Sequence, residues 1–328
     1  MSDKLKVAIQ CSSLGTRCGI NTYANRLNES LNKLPNVESK MFVEKIRNSP
    51  DIICIQYEPG LMPPQKLNSL LQKYVQPVVI TAHHIGNLPQ FYPLIDGIIL
   101  HTKSQILVDN EGKKQEPWSY KIIPHPALVF PEKGKEEMRK KYGLPLDKKI
   151  VGTAGFIAGT GKNLPDMIRY ILEDLKEDEF LYCITSYWKG GDFGFENQIM
   201  KTVKELGVED RFRIDTEFVT EEILNEKMQC CDLLFAWNRM DQPGSSSGIA
   251  MDMVGARRKT IFKDSFHYDL ARSLKGVETG NIDQEKFAKD VLKTLRTKDL
   301  SKVPDPEPYD WDNVINEYVD YFNEILGN

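Results

Sequence analysis

Short β-branched apolar runs alternate with helix-like segments along most of this 328-residue chain, and the whole alternation occurs twice. In the first half the runs are Lys6 to Cys11, Asp51 to Tyr57, Val78 to Ala82, Gly97 to His101 and Lys121 to Pro124, with helical spacing over Asn21 to Leu34 and Pro64 to Tyr74. Strands that are apolar on both faces and separated by helices predict a parallel sheet covered on both sides. The pattern restarts at Ile150, after the polar and basic stretch PEKGKEEMRKKYGLPLDKK, and continues to Thr260 to Lys263. The expected fold class is therefore α/β, built as two doubly wound parallel-sheet domains over residues 1–128 and 129–308. A helix-breaking PDPEP segment, Pro304 to Pro308, precedes a last stretch with apolar residues at Trp311, Val314, Ile315, Tyr318, Val319, Phe322 and Leu326. Those spacings of three and four predict one amphipathic helix over residues 309–328.

Composition narrows the function classes. A chain that is 41% hydrophobic and 27% charged has enough apolar surface for two cores, which excludes a disordered chain or a disulfide scaffold. With 43 Lys+Arg against 47 Asp+Glu the net charge is −4, so nucleic acid is not the default partner, although a local basic patch is compatible with that total. The longest apolar runs, such as Pro77 to Ala82, have the length of buried strands and fall short of the roughly 20 residues of a membrane helix. No signal-peptide pattern is recognised at the start, so a cytoplasmic protein is expected, with room for peripheral contact at a membrane's inner face through the basic run Lys133 to Lys149. The six cysteines lack metal-ligand spacing and read as reduced, buried thiols.

Loops that follow strands carry polar groups to where open α/β sheets bind ligands. The first, SSLGTRCGIN from Ser12 to Asn21, opens a helix and lacks the GxGxxG spacing of dinucleotide binders. The second pair of strand ends holds Tyr57 and Glu58 in IQYEPG, and His83 and His84 in TAHHIG. A third loop, GFIAGTGKN from Gly155 to Asn163, offers backbone amides and the ammonium of Lys162, which suits a diphosphate; the P-loop would need a hydroxyl where Asn163 stands. The fourth, DQPGSSSG, brings Ser245, Ser246 and Ser247 to a helix start at Gly248, a second anion cradle in which one serine also serves as the cap. Asp310 and Asp312 in DWD read as a helix cap rather than a metal site.

Taken in order, these motifs resemble the retaining nucleotide-sugar glycosyltransferases of the GT-B fold. CGINTYANRL is similar to the family's early Gly-rich loop and helix, DIICIQYEPG to its second strand end, TAH to its T-x-H, and Gly155, Phe156, Lys162 and Asn163 to its GF-loop-K-[GN] element. Trp311 onward is similar to its last helix. The resemblance implies two Rossmann-like domains facing a cleft, with the carboxyl-terminal helix crossing back to the first. It implies a nucleotide-sugar donor, a UDP- or GDP-hexose, held by Gly19, Phe156, Lys162, Asn163, Ser245, Ser246, Ser247, Gly248 and Asp252. The acceptor, a saccharide, lipid-linked or other hydroxyl compound, would meet Asn21, Tyr57, Glu58 and His84. His83 and Lys162 take the catalytic roles, His83 on the transferred sugar and Lys162 on the leaving diphosphate, and no metal or other cofactor is expected. Of the two glutamates the family carries around the phosphate loop, one falls on Asp252 and the other on Gly244. That departure motivates one alternative, a catalytically silent subunit that binds a partner; another two-Rossmann enzyme, such as a nucleotide-sugar epimerase, is a second.

Overall fold

The computed structural model describes residues 4–12, 18–43, 46, 49–86, 88–106, 119–157, 163–187, 194–239 and 243–327. The chain divides into two compact units, the first made of Met1–Pro126, Gln242–Ser246 and Trp311–Asn328, the second of Ala127–Asp241 and Ser247–Asp310.

The first unit is a six-stranded sheet of β1 (Leu5–Gln10), β2 (Val37–Phe42), β3 (Ile52–Tyr57), β4 (Val78–Ala82), β5 (Gly97–Leu100) and β6 (Tyr120–Ile122). Its order is β2-β1-β3-β4-β5-β6 and every pairing is parallel. All residues of β3, β4 and β5 are buried, as strands covered on both faces must be. The helix Gly19–Lys33 buries Tyr23, Ala24, Leu27 and Leu31, one stripe at helical spacing. The helix Trp311–Leu326 packs in the same unit, burying Val314, Ile315, Tyr318 and Phe322. Inside the contact the hydroxyls of Tyr23 and Tyr318 are hydrogen-bonded, and the Tyr321 hydroxyl accepts from the Ile98 amide at 3.2 Å. The ion pair Lys33–Asp312, 2.6 Å long with both side chains 62% exposed, adds little by comparison.

The second unit holds β7 (Lys149–Ile157), β8 (Glu179–Tyr187), β9 (Phe212–Asp215), β10 (Leu233–Ala236), β11 (Lys259–Lys263) and β12 (Val277–Gly280). Their order is β12-β11-β10-β7-β8-β9, again parallel throughout. Two strands depart from the sequence expectation, β2 and β12. Both are edge strands, VESKMF and VETG, and a strand with one neighbour lacks the continuous apolar run that marks a central one. The helix Gln284–Thr297 was also not anticipated, although Asp283 caps it by accepting from the Lys286 amide and Phe287, Val291, Leu292 and Leu295 form its buried stripe.

The basic run that follows the first unit is tied inward. Arg139, 4% exposed, donates through Nη2 to Asp232 Oδ2 at 2.7 Å, through Nε to the Cys230 carbonyl and through Nη1 to the Lys148 carbonyl. Asp232 also accepts from the Ile150 amide at 2.7 Å and from Lys135. Glu226 takes the ammonium groups of Lys133 and Lys141. Burial alone would raise its carboxyl pKa, but these bonds and that of Tyr142 outweigh it and bring the value down to about 2. The run therefore neutralises buried acids of its own unit rather than offering a bare cationic face. Asp232→Ala leaves the Arg139 guanidinium buried and unpaired, and is expected to lower the unfolding free energy of the protein by about 3–5 kcal/mol in denaturant titration. Among the described residues no helix is long and apolar enough to cross a membrane, and all six cysteines are buried and free.

Candidate functional site

In the second sheet the chain winds from β7 outward through β8 and β9, then returns to β10 on the other side of β7. That reversal splits the two neighbouring crossovers apart and leaves a crevice beyond the carboxyl ends of β7 and β10, the position where open α/β sheets bind ligands. A cavity of about 40 Å³ lies there, lined among others by Thr153, Phe156, Thr185, Trp237, Ser247 and His267. Ser247 is the N-cap of the helix Gly248–Gly255. Its hydroxyl accepts from the Ala250 amide at 3.4 Å, and its own amide donates to the His267 carbonyl at 3.1 Å. The helix start thus contributes Ser247 and Ile249 to the cavity lining, and the positive end of its dipole lies at that start. The Trp237 indole N–H, on a residue only 8% exposed, has no hydrogen-bond partner among the described residues. The Lys263 ammonium sits 4.9 Å from the centre of the Trp237 ring and donates to the Asn238 carbonyl.

Of the residues expected on the donor side, the cavity brings together Phe156 and Ser247, with Gly248 next in sequence. Phe156 stacks on Phe218 at 6.2 Å with the rings 12° from parallel. Asp252 is half-buried in the same helix as Gly248. Asn163 is committed elsewhere: it adopts a left-handed backbone at the cap of the helix Leu164–Glu173, and its side-chain amide donates to Asp166 at 2.8 Å and to Gln284 at 2.9 Å. Lys162 lies outside the described residues, as do Lys189 and the rest of residues 188–193. Gly19 begins the helix Gly19–Lys33 in the first unit, where an added Cβ would meet no atom of the described residues within 4 Å.

The carboxyl ends of β3 and β4 carry the residues expected on the acceptor side. Tyr57 is fully buried, its hydroxyl has no partner among the described residues, and burial together with the nearby Glu58 charge pushes its pKa up to about 12. Glu58 turns back on its own loop and accepts from the Leu61 amide at 3.0 Å. Asn21 is 6% exposed on the first turn of its helix. His84 is half-buried and forms a bridge to Ser245, so the segment with Ser245 and Ser246 runs beside it within the first unit. Burial lowers the His84 pKa and the Glu58 charge opposes that shift.

His83 is part of a buried cluster that the sequence reading did not assemble. Its Nε2 meets the Gln56 side-chain oxygen at 3.0 Å, and its ring lies 5.5 Å from that of His101 and 6.4 Å from that of His125. Desolvation, with the neighbouring His125, lowers its pKa from 6.5 to about 3; desolvation takes His125 to about 4 and His101 well below the ordinary value. All three imidazoles are neutral at physiological pH. His101 and His125 carried one signal in the sequence: each ends an apolar run, in ILHT and IPHP, as His83 does in TAHH.

No protein-family model matches the chain, and no curated protein matches it. Solved structures match it from end to end. A glycosyltransferase from Rickettsia africae is 13% identical with a TM-score of 0.68, covering 100% of both chains. Anabaena HepE in complex with UDP and glucose is 12% identical with a TM-score of 0.70, over 98% of this chain and 100% of the other. Sucrose-phosphate synthase from Thermosynechococcus elongatus is 11% identical with a TM-score of 0.72, over 99% and 100%. The fold is that of the GT-B glycosyltransferases.

Within the GT-B likeness, Gly244 stands where a glutamate was expected, and its backbone accounts for the glycine. Its φ of 108° is a conformation that L side chains rarely adopt, and its carbonyl accepts from the Ile85 amide at 2.7 Å and from Gln105 Nε2 at 3.5 Å. Gly244→Glu is expected to strain the segment and lower stability by about 1–3 kcal/mol, measured by denaturant titration, without raising any transfer activity.

Proposed function

We propose that this protein is a retaining glycosyltransferase that moves a hexose from a UDP- or GDP-sugar to an acceptor hydroxyl, with no metal ion on the diphosphate. The observation that carries the reading is the cavity at the β7–β10 reversal, with the Ser247-capped helix start on its wall. As the glycosidic bond breaks, negative charge grows on the leaving diphosphate. The first-turn amides from Gly248 and the ammonium of Lys162 would meet that charge, doing electrostatically what a divalent cation does in other transferases. Phe156 and Trp237 supply apolar and aromatic wall, and the free indole N–H of Trp237 supplies one directed donor. Asp252 keeps the acidic position on the donor side, and His84 beside Ser245 keeps the acceptor side. Anabaena HepE, of like fold, is described in complex with UDP and glucose, which makes UDP-glucose the first donor to test. The acceptor class remains a saccharide, a lipid-linked sugar or another hydroxyl compound.

Gly244 supports a second reading, a catalytically silent relative that keeps donor binding and serves a partner. The two part in one experiment. A thermal-shift panel of UDP, GDP, ADP and their hexose conjugates is expected to give a selective rise with one nucleotide, about 2.7 kcal/mol at a hundred times the dissociation constant. Lys162→Ala is expected to diminish that rise while leaving the unliganded melting point in place. Slow hydrolysis of the bound sugar nucleotide, followed by release of free hexose, favours the transferase; a shift with no turnover on any acceptor favours the silent relative. No shift from any nucleotide contradicts both.

A further inference from the structure

Three consecutive strands of the first sheet end in histidine. His83 follows β4, His101 follows β5 and His125 lies just beyond β6, and they are 7%, 1% and 9% exposed. In each ring one nitrogen is held by an oxygen acceptor: His83 Nε2 by Gln56 Oε1 at 3.0 Å, His101 Nδ1 by the Ile123 carbonyl at 3.0 Å, and His125 Nδ1 by the Pro126 carbonyl at 2.8 Å. A carbonyl oxygen only accepts, so the held nitrogen carries the proton and the other presents a bare lone pair. The amide of Gln56 agrees with this, since its nitrogen faces Cys54 Sγ and Thr81 Oγ1 and leaves its oxygen for the imidazole. Anchoring one ring nitrogen on a carbonyl so that the other is left to coordinate is how metal-ligating histidines are oriented.

The remaining geometry fits the same role. The three side chains each bring a nitrogen within 4.8 Å of the other two. A triangle with 4.8 Å sides has its corners about 2.8 Å from its centre, against roughly 2.0–2.1 Å for a zinc–imidazole bond, so closing on a cation moves each nitrogen by less than about 1 Å. Among the described residues His101 Nε2 is buried without a hydrogen-bond partner, an acceptor the fold strands unless something binds it. The Tyr23 ring packs against all three imidazoles, at 4.6, 5.6 and 5.0 Å, and its hydroxyl is tied to that of Tyr318, which limits how far the rings can turn away. The set contains no carboxylate. Neutral imidazoles alone suit Zn²⁺, Co²⁺, Ni²⁺ or Cu²⁺ and discriminate against Mg²⁺ and Ca²⁺.

We propose that His83, His101 and His125 bind one zinc-class divalent cation through their unprotonated ring nitrogens. Three protein ligands leave a fourth position for water or another oxygen ligand, as in open zinc sites. The site lies wholly in the first unit and is independent of the diphosphate contacts of the second. It gives the free nitrogen of His83 a cation as its partner in place of a sugar hydroxyl.

The test uses the full-length protein without a histidine tag, stripped with a chelator, then titrated with Zn²⁺ against a chromophoric competitor and with Co²⁺ under visible absorption. One Zn²⁺ per chain and the ligand-field bands of tetrahedral Co²⁺ are expected, with Mg²⁺ failing to displace either ion. His101→Ala and His125→Gln are each expected to weaken binding by more than about 100-fold, beyond what loss of an outer partner costs. The thermal shift with nucleotide should survive in His101→Ala. Failure of the wild-type protein to take up zinc or to develop cobalt bands overturns the proposal, as does a His101→Ala affinity within a few-fold of wild type. Zinc uptake without any nucleotide response upholds this site and defeats the transferase reading; the reverse result defeats only this site.

Discussion

Both sheets are parallel and covered on both faces, and that single constraint distributes everything else in the protein. A strand with no solvated face carries few polar side chains along its length, because each must find a partner in place of water. Residues such as Ile53, Ile55, Ile80, Val151 and Leu233 therefore fill the interior, and hydrogen-bonding or titratable groups collect where the strands stop. In the first unit those ends supply Tyr57, His83, His101 and His125; in the second they supply Thr185 and Trp237.

The few charges inside follow a different rule, since a buried ion must be met by several partners. Arg139 and Asp232 fasten the segment after the first unit to the start of β10 through five hydrogen bonds and ion contacts shared with Lys135, Ile150, Cys230 and Lys148. Pairs of this kind fix geometry more than they add net stability. Here the geometry fixed is that of β7 and β10, the two strands whose ends flank the cavity.

Central strands and long helices were legible in the sequence because both leave a periodic or continuous apolar mark. Val78–Ala82, Glu221–Gln229 and Gly248–Gly255 fall where the pattern put them. The edge strands Val37–Phe42 and Val277–Gly280 were not legible, since one solvated side replaces apolar residues with Glu, Ser, Lys and Thr. The role of Ser247 as a cap and wall of the cavity could be read from a serine before an apolar helix. The grouping of His83 with His101 and His125 could not, because the three lie in separate βα units and only the order β4-β5-β6 makes them neighbours. Asn163 shows what a motif leaves out: its position suggests ligand binding, and its side-chain amide is also used within the fold by Asp166 and Gln284.

The central claim is that a sugar nucleotide binds at the β7–β10 reversal with its diphosphate on the helix start after Ser247. Hydrogen–deuterium exchange of the full-length protein with and without saturating UDP-glucose tests it most directly. The account predicts slowed exchange at the first-turn amides from Gly248 to Asp252 and at Trp237. Protection confined to other elements, or no protection at all in the presence of UDP- and GDP-sugars, would contradict it.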